Sequence, residues 1–462
     1  MKVGNNILKR KITNGHISFE VIKSGDIHKI SYDWFNLTTF NQTALDGQVF
    51  NLYLRIKKNG EYFYTKMIGV DSPSFYSSFD NHIIYKGEFK KVKYEIIITI
   101  LEDKWFYTIN LSSSIIKEAE VFYGFDLMLN GFGANEAYNA QYIDHKVDET
   151  NEGYIITSRQ NLGVDYLSLM GSLTKNVSFS TDGFQFFGKS FKETNKPYIL
   201  SLEHLENKIY QYEFTYLALQ SEKLNLETPK TVVFYNYVEP KTNDFDALKK
   251  HEEIKEVYNN LSFEPKDKLL FTNSATKINI NNVLAGDSLD ENLINKLYPE
   301  RYEEEYEDGK LLSFFTKDSS HVVLKEKELK EERTTGSIII NNGLKVVNED
   351  IMCNTSFMNG VFLSHISYIN SNFGKFLSSN REQLNVVKIS GQRIMIKHKS
   401  VYYLLGMPSL FEMGFNYSKW IYKLPFDVIT ICVTIDKEKP YISLSLKAKS
   451  KSSYDFLVVS HL

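Results

Sequence analysis

The chain has 462 residues, more than one compact core holds, so two or three domains are expected. Its 54 Lys and Arg against 57 Asp and Glu leave a formal charge of -3, which excludes the basic footprint of a nucleic-acid binder and a polybasic membrane patch. The 30 Tyr and 32 Phe against 9 Pro suit extensive β-sheet, and suit sugar-binding surfaces as well; sheet propensity accounts for most of these rings. The first residues, Met1 to Lys11, lack the apolar core of a secretion signal, and no apolar run reaches membrane-spanning length. Cys353 and Cys432 read as free thiols of a reducing compartment, so a cytoplasmic location is expected.

The first half is strand-rich. Ile17, Phe19 and Val21 alternate with Ser18 and Glu20, and Leu52, Leu54 and Ile56 alternate with Tyr53 and Arg55. Asn59-Gly60 predicts a hairpin turn into Tyr62 and Tyr64. Tyr94 to Leu101 is β-branched, and Trp105, Tyr107, Ile109 and Leu111 point one way. Tyr154 to Thr157, Val177 to Ser180 and Tyr210 to Leu219 continue the pattern. Many short strands argue for a β-sandwich over residues 1–240.

Between these strands lies Gly131 to His145, which fits neither periodicity. It gathers Asn135, Glu136, Tyr138, Asn139, Gln141, Tyr142, Asp144 and His145 in one short run. Such a run is either a surface recognition loop or a buried polar network, and buried polar groups must find partners. The residue chemistry favours the structural network. Glu136 and Asp144 are the alternative, a glycosidase-type acid and base. His145 and His365 read as oriented, neutral histidines rather than ligands or bases.

Near Pro240 the period changes. Ala247, His251, Ile254, Tyr258 and Leu261 fall at helical spacing, with Asp244 as cap. A second helix is expected from Ser288, with Glu291 completing a capping box and Leu289, Leu293 and Leu297 along one face. Glu303 to Asp308 reads as a solvated acidic face, without His or Cys at metal-ligand spacing. Residues 241–335 are therefore expected to be a mostly helical connector. Strand signals resume over 336–462: Ser337 to Ile340 and Leu344 to Val347 around Asn341-Asn342-Gly343, then Gln392 to Ile396, Val401 to Leu405, Val428 to Ile435 and Tyr441 to Leu446. The apolar ending from Phe456 suggests a second sandwich interrupted within a larger architecture.

Familiar catalytic signatures are missing. Gly131-Phe132-Gly133 lacks the third glycine of a dinucleotide fingerprint, since Glu136 stands there. His251-Glu252-Glu253-Ile254-Lys255 starts like a zinc-protease helix but carries Lys255 in place of the second His. Neither a phosphate-cradling Gly-Lys-Ser/Thr loop nor a Gly-x-Ser-x-Gly elbow occurs.

Several segments resemble one family, the 1,2-β-oligoglucan phosphorylases of the cellobiose phosphorylase-like group (glycoside hydrolase family 94). They are Asn135 to His145, Ser180 to Gly188, Leu311 to Thr316, Val322 to Glu328, Met352 to Phe362, Leu404 to Gly414 and Trp420 to Lys423. Thr334 to Ser337 departs from the pattern, where a more basic, His-containing run is expected. The resemblance implies a mainly β fold, with two supersandwich, galactose mutarotase-like units joined by a short helical connector. It implies reversible phosphorolysis to glucose 1-phosphate, with inorganic phosphate as co-substrate and no other cofactor or metal. It places the acid and the phosphate site on a helical (α/α) barrel, so no catalytic residue is carried over to this chain. Implied partners are a β-glucooligosaccharide and a homodimer mate or separately encoded barrel chain, with no nucleic acid or membrane. The sandwich of 336–462 is expected to lend a loop to a neighbouring site, with Phe357, Asn359, His365, Asn370 and Asn372 as substrate-binding candidates. A free-standing carbohydrate-binding or scaffold protein remains the alternative, and a mutarotase or lyase a more distant one.

Overall fold

The computed structural model describes residues 10–42, 47–130, 140, 142–162, 165–211, 214–262, 270–273, 283–341, 351–368, 375–377, 391–450 and 452–460. The chain forms two compact units. One comprises Met1–Gly188 and Pro197–Asn279, the other Lys189–Lys196 and Ile280–Leu462. The expected mainly β fold with two sandwich-like units holds.

In the first unit a nine-stranded antiparallel sheet is the backbone of the fold. Its order is Ile143–Thr150, Gly153–Gln160, Tyr166–Ser172, Lys230–Pro240, Lys104–Ser112, Val92–Ile100, His82–Phe89, Ser74–Phe79 and Thr272–Asn273. Period-2 alternation sends Ile83, Tyr85, Ile96, Ile98, Tyr107, Ile109 and Phe234 to one face, all at most 1% exposed. That face packs on a six-stranded and a five-stranded sheet in one core. Tyr107 meets Tyr123 at 4.9 Å between ring centres, Phe19 meets Trp105 edge-on at 5.6 Å, and the Tyr123 hydroxyl donates to Asn236 Oδ1 at 2.6 Å. Asn59 and Gly60, both at positive φ, close the expected hairpin.

Two turns are fastened by one buried carboxyl. Asp26 Oδ1 accepts the backbone N–H groups of Gln48 and Val70, each at 3.0 Å, and Oδ2 accepts the Ser24 hydroxyl. Gly69 at φ +72° permits this approach, since a Cβ there would stand 2.0 Å from Asp26 Oδ1. Burial is the largest influence on this group and lifts its pKa to about 6, against the three donors.

The helix Ala247–Asn259 covers part of the opposite sheet face through Ala247, Ile254 and Tyr258, against Phe106, Ile155, Leu169, Val233 and Tyr235. Its cap is Asp246, not the expected Asp244, because Asp246 is the side chain that accepts from the N–H groups of Leu248 and Lys249.

In the second unit a seven-stranded sheet runs from Tyr302–Glu307 to Ile442–Ala448. Trp420 joins it to the neighbouring four-stranded sheet, 4.8 Å from Phe362 and donating its indole N–H to the Phe357 carbonyl at 2.9 Å. The expected helical connector, 241–335, differs here in detail. Its C-terminal part contributes strands Tyr302–Glu307, Lys310–Phe315 and His321–Leu324 to this sheet. The acidic run is an exposed strand at the sheet edge, as expected, where Glu304, Glu305 and Glu307 pair with Arg301, Lys327 and Lys330. The second helix begins at Glu291 with Asp290 as cap, and Ile294 and Tyr298 are its buried residues rather than the Leu289–Leu293–Leu297 line. Strand Gly336–Ile340 pairs with Met352–Phe357; the expected partner 344–347 lies outside the described residues.

The short helix Phe191–Thr194 belongs to this second unit although the first unit resumes after it. Lys192, fully buried, donates to the carbonyls of Glu328, Glu331 and Arg333 at 3.1, 2.6 and 3.3 Å, and its ammonium lies 3.7 Å from the Glu328 carboxylate. A cation at the end of helix Lys325–Lys330 complements the helix dipole.

Candidate functional site

The outer face of the nine-stranded sheet is left open beside the helix Ala247–Asn259, and there the register lines up one row of side chains across six strands. Asn273 faces Phe75, Phe75 faces Lys86, Lys86 faces Glu95, Glu95 faces Asn110, and Asn110 faces Thr231. Directly opposed residues lie close enough to bond across strands. Thr231 Oγ1 donates to Asn110 Oδ1 at 2.8 Å, Asn110 Nδ2 reaches Glu95 Oε2 at 3.5 Å, and the Lys86 ammonium pairs with Glu95 Oε1 at 2.7 Å. Lys86 also lies 5.2 Å from the centre of the Phe271 ring, and Phe75 is 50% exposed. The middle of this row, Phe75, Lys86, Glu95 and Asn110, lines an open groove of about 660 Å³, with Pro73 and Pro229 at its rim. Behind it, Gly87 lets the Tyr94 ring pass; a Cβ would stand 2.4 Å from its hydroxyl, which bonds Ser74 Oγ at 2.6 Å. The groove thus offers hydroxyl, amide, carboxylate and ammonium groups with little net charge, beside aromatic faces.

A second cluster lies where the helix docks. His251 Nδ1 bonds the Tyr235 hydroxyl at 2.8 Å, and its Nε2 lies 3.2 Å from Glu152, which also receives Lys255. Glu152, His251 and Glu252 have the spacing of metal ligands. The Lys255 ammonium already occupies Glu152, so the cluster works as a helix-to-sheet clamp. Partial burial raises the Glu152 carboxyl, but the hydrogen bonds from Lys255 and His251 prevail and hold it below its ordinary range.

Of the expected polar network, Asn135, Glu136, Tyr138, Asn139 and Gln141 lie outside the described residues. The others part company. Strand Ile143–Thr150 is an edge of the nine-stranded sheet, and its alternation turns His145 inward and Asp144 outward. Tyr142 (41% exposed) and Asp144 therefore face solvent, a correction to the expected burial. His145 is buried as expected, with Nδ1 2.9 Å from Ser158 Oγ, and desolvation lowers its pKa to about 4, which keeps it neutral. In the second unit, Phe357 ends a strand, and Asn359, 1% exposed, is enclosed in the turn Met358–Gly360 rather than presented on a loop tip. His365 is paired through its backbone with Thr355, while Asn370 and Asn372 lie outside the described residues. The structure does not assemble these five into a described site. The groove went unseen in the sequence because its residues come from four strands and meet only through register.

Comparison with known proteins agrees with this architecture. Residues 20–236 match the family described as the SOGP N-terminal domain, and residues 298–462 match the glycoside phosphorylase supersandwich domain. The chain thus resembles glycoside phosphorylase domains in both of its parts. Over 463 aligned residues it is 29% identical to the 1,2-beta-oligoglucan phosphorylase of Listeria innocua serovar 6a, covering 98% of this chain and 41% of that protein. The chain thus spans less than half the length of this curated relative. Among solved structures it is similar to a bacterial glucoamylase complexed with acarbose, with 11% identity over 56% of this chain and 37% of that one, TM-score 0.34. It is also similar to a galactose mutarotase related enzyme from Lactobacillus acidophilus, with 7% identity over 52% of this chain and all (100%) of that one, TM-score 0.31. Likeness at this level carries no argument about function. Among the described residues no helix is long and apolar enough to cross a membrane.

Proposed function

We propose that this chain is the β-sandwich portion of a glycoside phosphorylase acting on β-1,2-linked glucooligosaccharides, and that it supplies walls and contacts rather than the catalytic acid. The observation that carries this is the similarity to an oligoglucan phosphorylase, which extends over nearly the whole chain and less than half of the relative. Inverting phosphorolysis needs a carboxylic acid beside the glycosidic oxygen, a cationic or amide-lined pocket for phosphate, and exclusion of water. In this reading a helical barrel provides the first two, in a homodimer or on a separately made chain.

The buried carboxyls support that division of labour. Asp26 and Asp126 are held in the sheet interior by backbone donors, and burial raises both. Glu120 is engaged by Arg55, and Glu412 by Tyr298, Tyr417 and Lys419. None of these four lines the open groove on the outer sheet face. The test is glucose 1-phosphate release from sophorose-type oligosaccharides in phosphate buffer. The chain alone should release none, and addition of a companion barrel chain should restore it. Release by the isolated chain, abolished in Asp144→Asn, would return the chemistry to the first unit and refute the proposal.

A further inference from the structure

We infer that the groove on the outer face of the nine-stranded sheet is a binding site for a neutral β-glucan chain. The inference rests on the proposed β-glucan substrate class for the choice of sugar, and on the groove alone for the existence of the site.

Three observations converge on a polyhydroxylated, uncharged ligand. The row Thr231–Asn110–Glu95–Lys86 carries donors and acceptors on neighbouring strands, already hydrogen-bonded to one another and so held in fixed rotamers. Strands repeat every ~4.8 Å, about the length of one pyranose ring, so successive groups can meet successive sugar hydroxyls. The charges balance: Lys86 is paired with Glu95, and the groove's other two ionisable side chains, Glu88 and Lys93, oppose each other on adjacent strands, so a phosphate or a polyanion finds no excess positive charge. Finally, Phe75 stands half exposed at one end of the row, and the Phe271 ring is held under Lys86. An exposed ring covers the apolar face of a pyranose while the polar row takes its edge hydroxyls. The side chains of Lys86 and Glu95 are 50% and 32% exposed, so their polar ends remain accessible.

The experiment is calorimetric or NMR titration of the whole chain with sophoro-oligosaccharides of increasing length, with cello-oligosaccharides and inorganic phosphate in parallel. Sophoro-oligosaccharides should bind, and affinity should grow with length up to about three or four sugars, the span of the row. Phe75→Ala and Glu95→Gln should each weaken binding about tenfold or more, since each removes a ring platform or a charged acceptor. Trp34→Ala, which changes an exposed ring outside the groove, should leave binding unchanged. Phosphate should neither bind there nor compete. Binding that survives both groove variants, absence of binding to any glucan, or competition by phosphate would overturn the site. Binding of cello- but not sophoro-oligosaccharides, lost in the same variants, would sustain the groove and overturn the β-1,2 reading instead.

Discussion

Removing the guanidinium of Arg55 should cost the first unit several kcal/mol, and the structure says why. Arg55 is fully buried on strand Asn51–Lys58 directly opposite Glu120. Its Nε and Nη2 donate to Glu120 Oε2 at 3.0 and 2.8 Å, and Nη2 and Nη1 also reach the carbonyls of Glu203 and Leu202. Tyr62 and Phe122 sandwich the group at 4.1 and 4.5 Å. Glu120, 5% exposed, has Gln220 Nε2 at 3.0 Å as its one other side-chain hydrogen-bond partner among the described residues. In Arg55→Met that carboxylate stays in the interior without its counter-charge, a loss of about 3–5 kcal/mol. The carbonyls of 202 and 203 lie at the rim, where water can replace the lost donors. Replacing both partners, Arg55→Met with Glu120→Met, removes the stranded charge, so the double variant should regain about 2 kcal/mol over the single one. Urea unfolding followed by hydrogen exchange of strands Asn51–Lys58 and Glu118–Phe125 reads this locally. With a slope of about 3 kcal/mol per molar urea, the midpoint of Arg55→Met should fall by roughly 1–1.7 M. A loss below about 1 kcal/mol, or a double variant worse than the single, would refute the argument.

Two further predictions concern pH, and their signs are opposite. The Asp26 pKa is raised by burial to about 6, so the folded state favours the neutral acid; its stabilisation is complete below about pH 4 and is lost as pH rises through 6. Asp26→Asn should flatten that decline in a melting series from pH 4 to 8. His145 is lowered to about 4, so its stabilisation is present above pH 6.5 and is lost as pH falls towards 4, by about 3 kcal/mol in all. His145→Gln should remove this part of the acid sensitivity, and an unchanged acid limb would show that the ring is not desolvated. At the helix clamp, Lys255→Met should remove the ammonium from Glu152, leaving its contact with His251, and expose the helix Ala247–Asn259 to faster hydrogen exchange, before any global unfolding.

What the sequence made legible was local. Ile17–Val21, Asn51–Lys58 and Val428–Ile435 lie where alternation or β-branched runs placed them, and Asn59-Gly60 turned as its chemistry requires. Misplaced caps had a common cause. Asp244 and Ser288 are as suited to capping as Asp246 and Asp290, and only tertiary docking decides which residue starts the helix. The exposure of Asp144 follows from which face of its strand packs inward, and Tyr142 lies just before that strand; no local pattern reveals either. The row of the groove is the extreme case: Phe75 and Thr231 are 156 positions apart and share it only because four pairings of strands intervene. The family resemblance worked differently, through long particular runs such as Leu404 to Gly414, and the two matched domains agree with it.

The excursion of Lys189–Lys196 has a practical consequence for anyone wishing to take the protein apart. The second unit owns eight residues encoded in the midst of the first, so spatial and genetic order disagree. No single cut of the backbone yields two complete halves. A cut ahead of 189 deprives the first unit of Pro197–Asn279, and a cut near 280 deprives the second of Lys192 and leaves the Glu328 side chain without its ammonium. Expression of the second unit by itself therefore calls for the missing helix to be supplied as a peptide or grafted onto a terminus. Dividing the gene at the edges of the two matched domains would produce one fragment carrying a surplus segment and another with a hole.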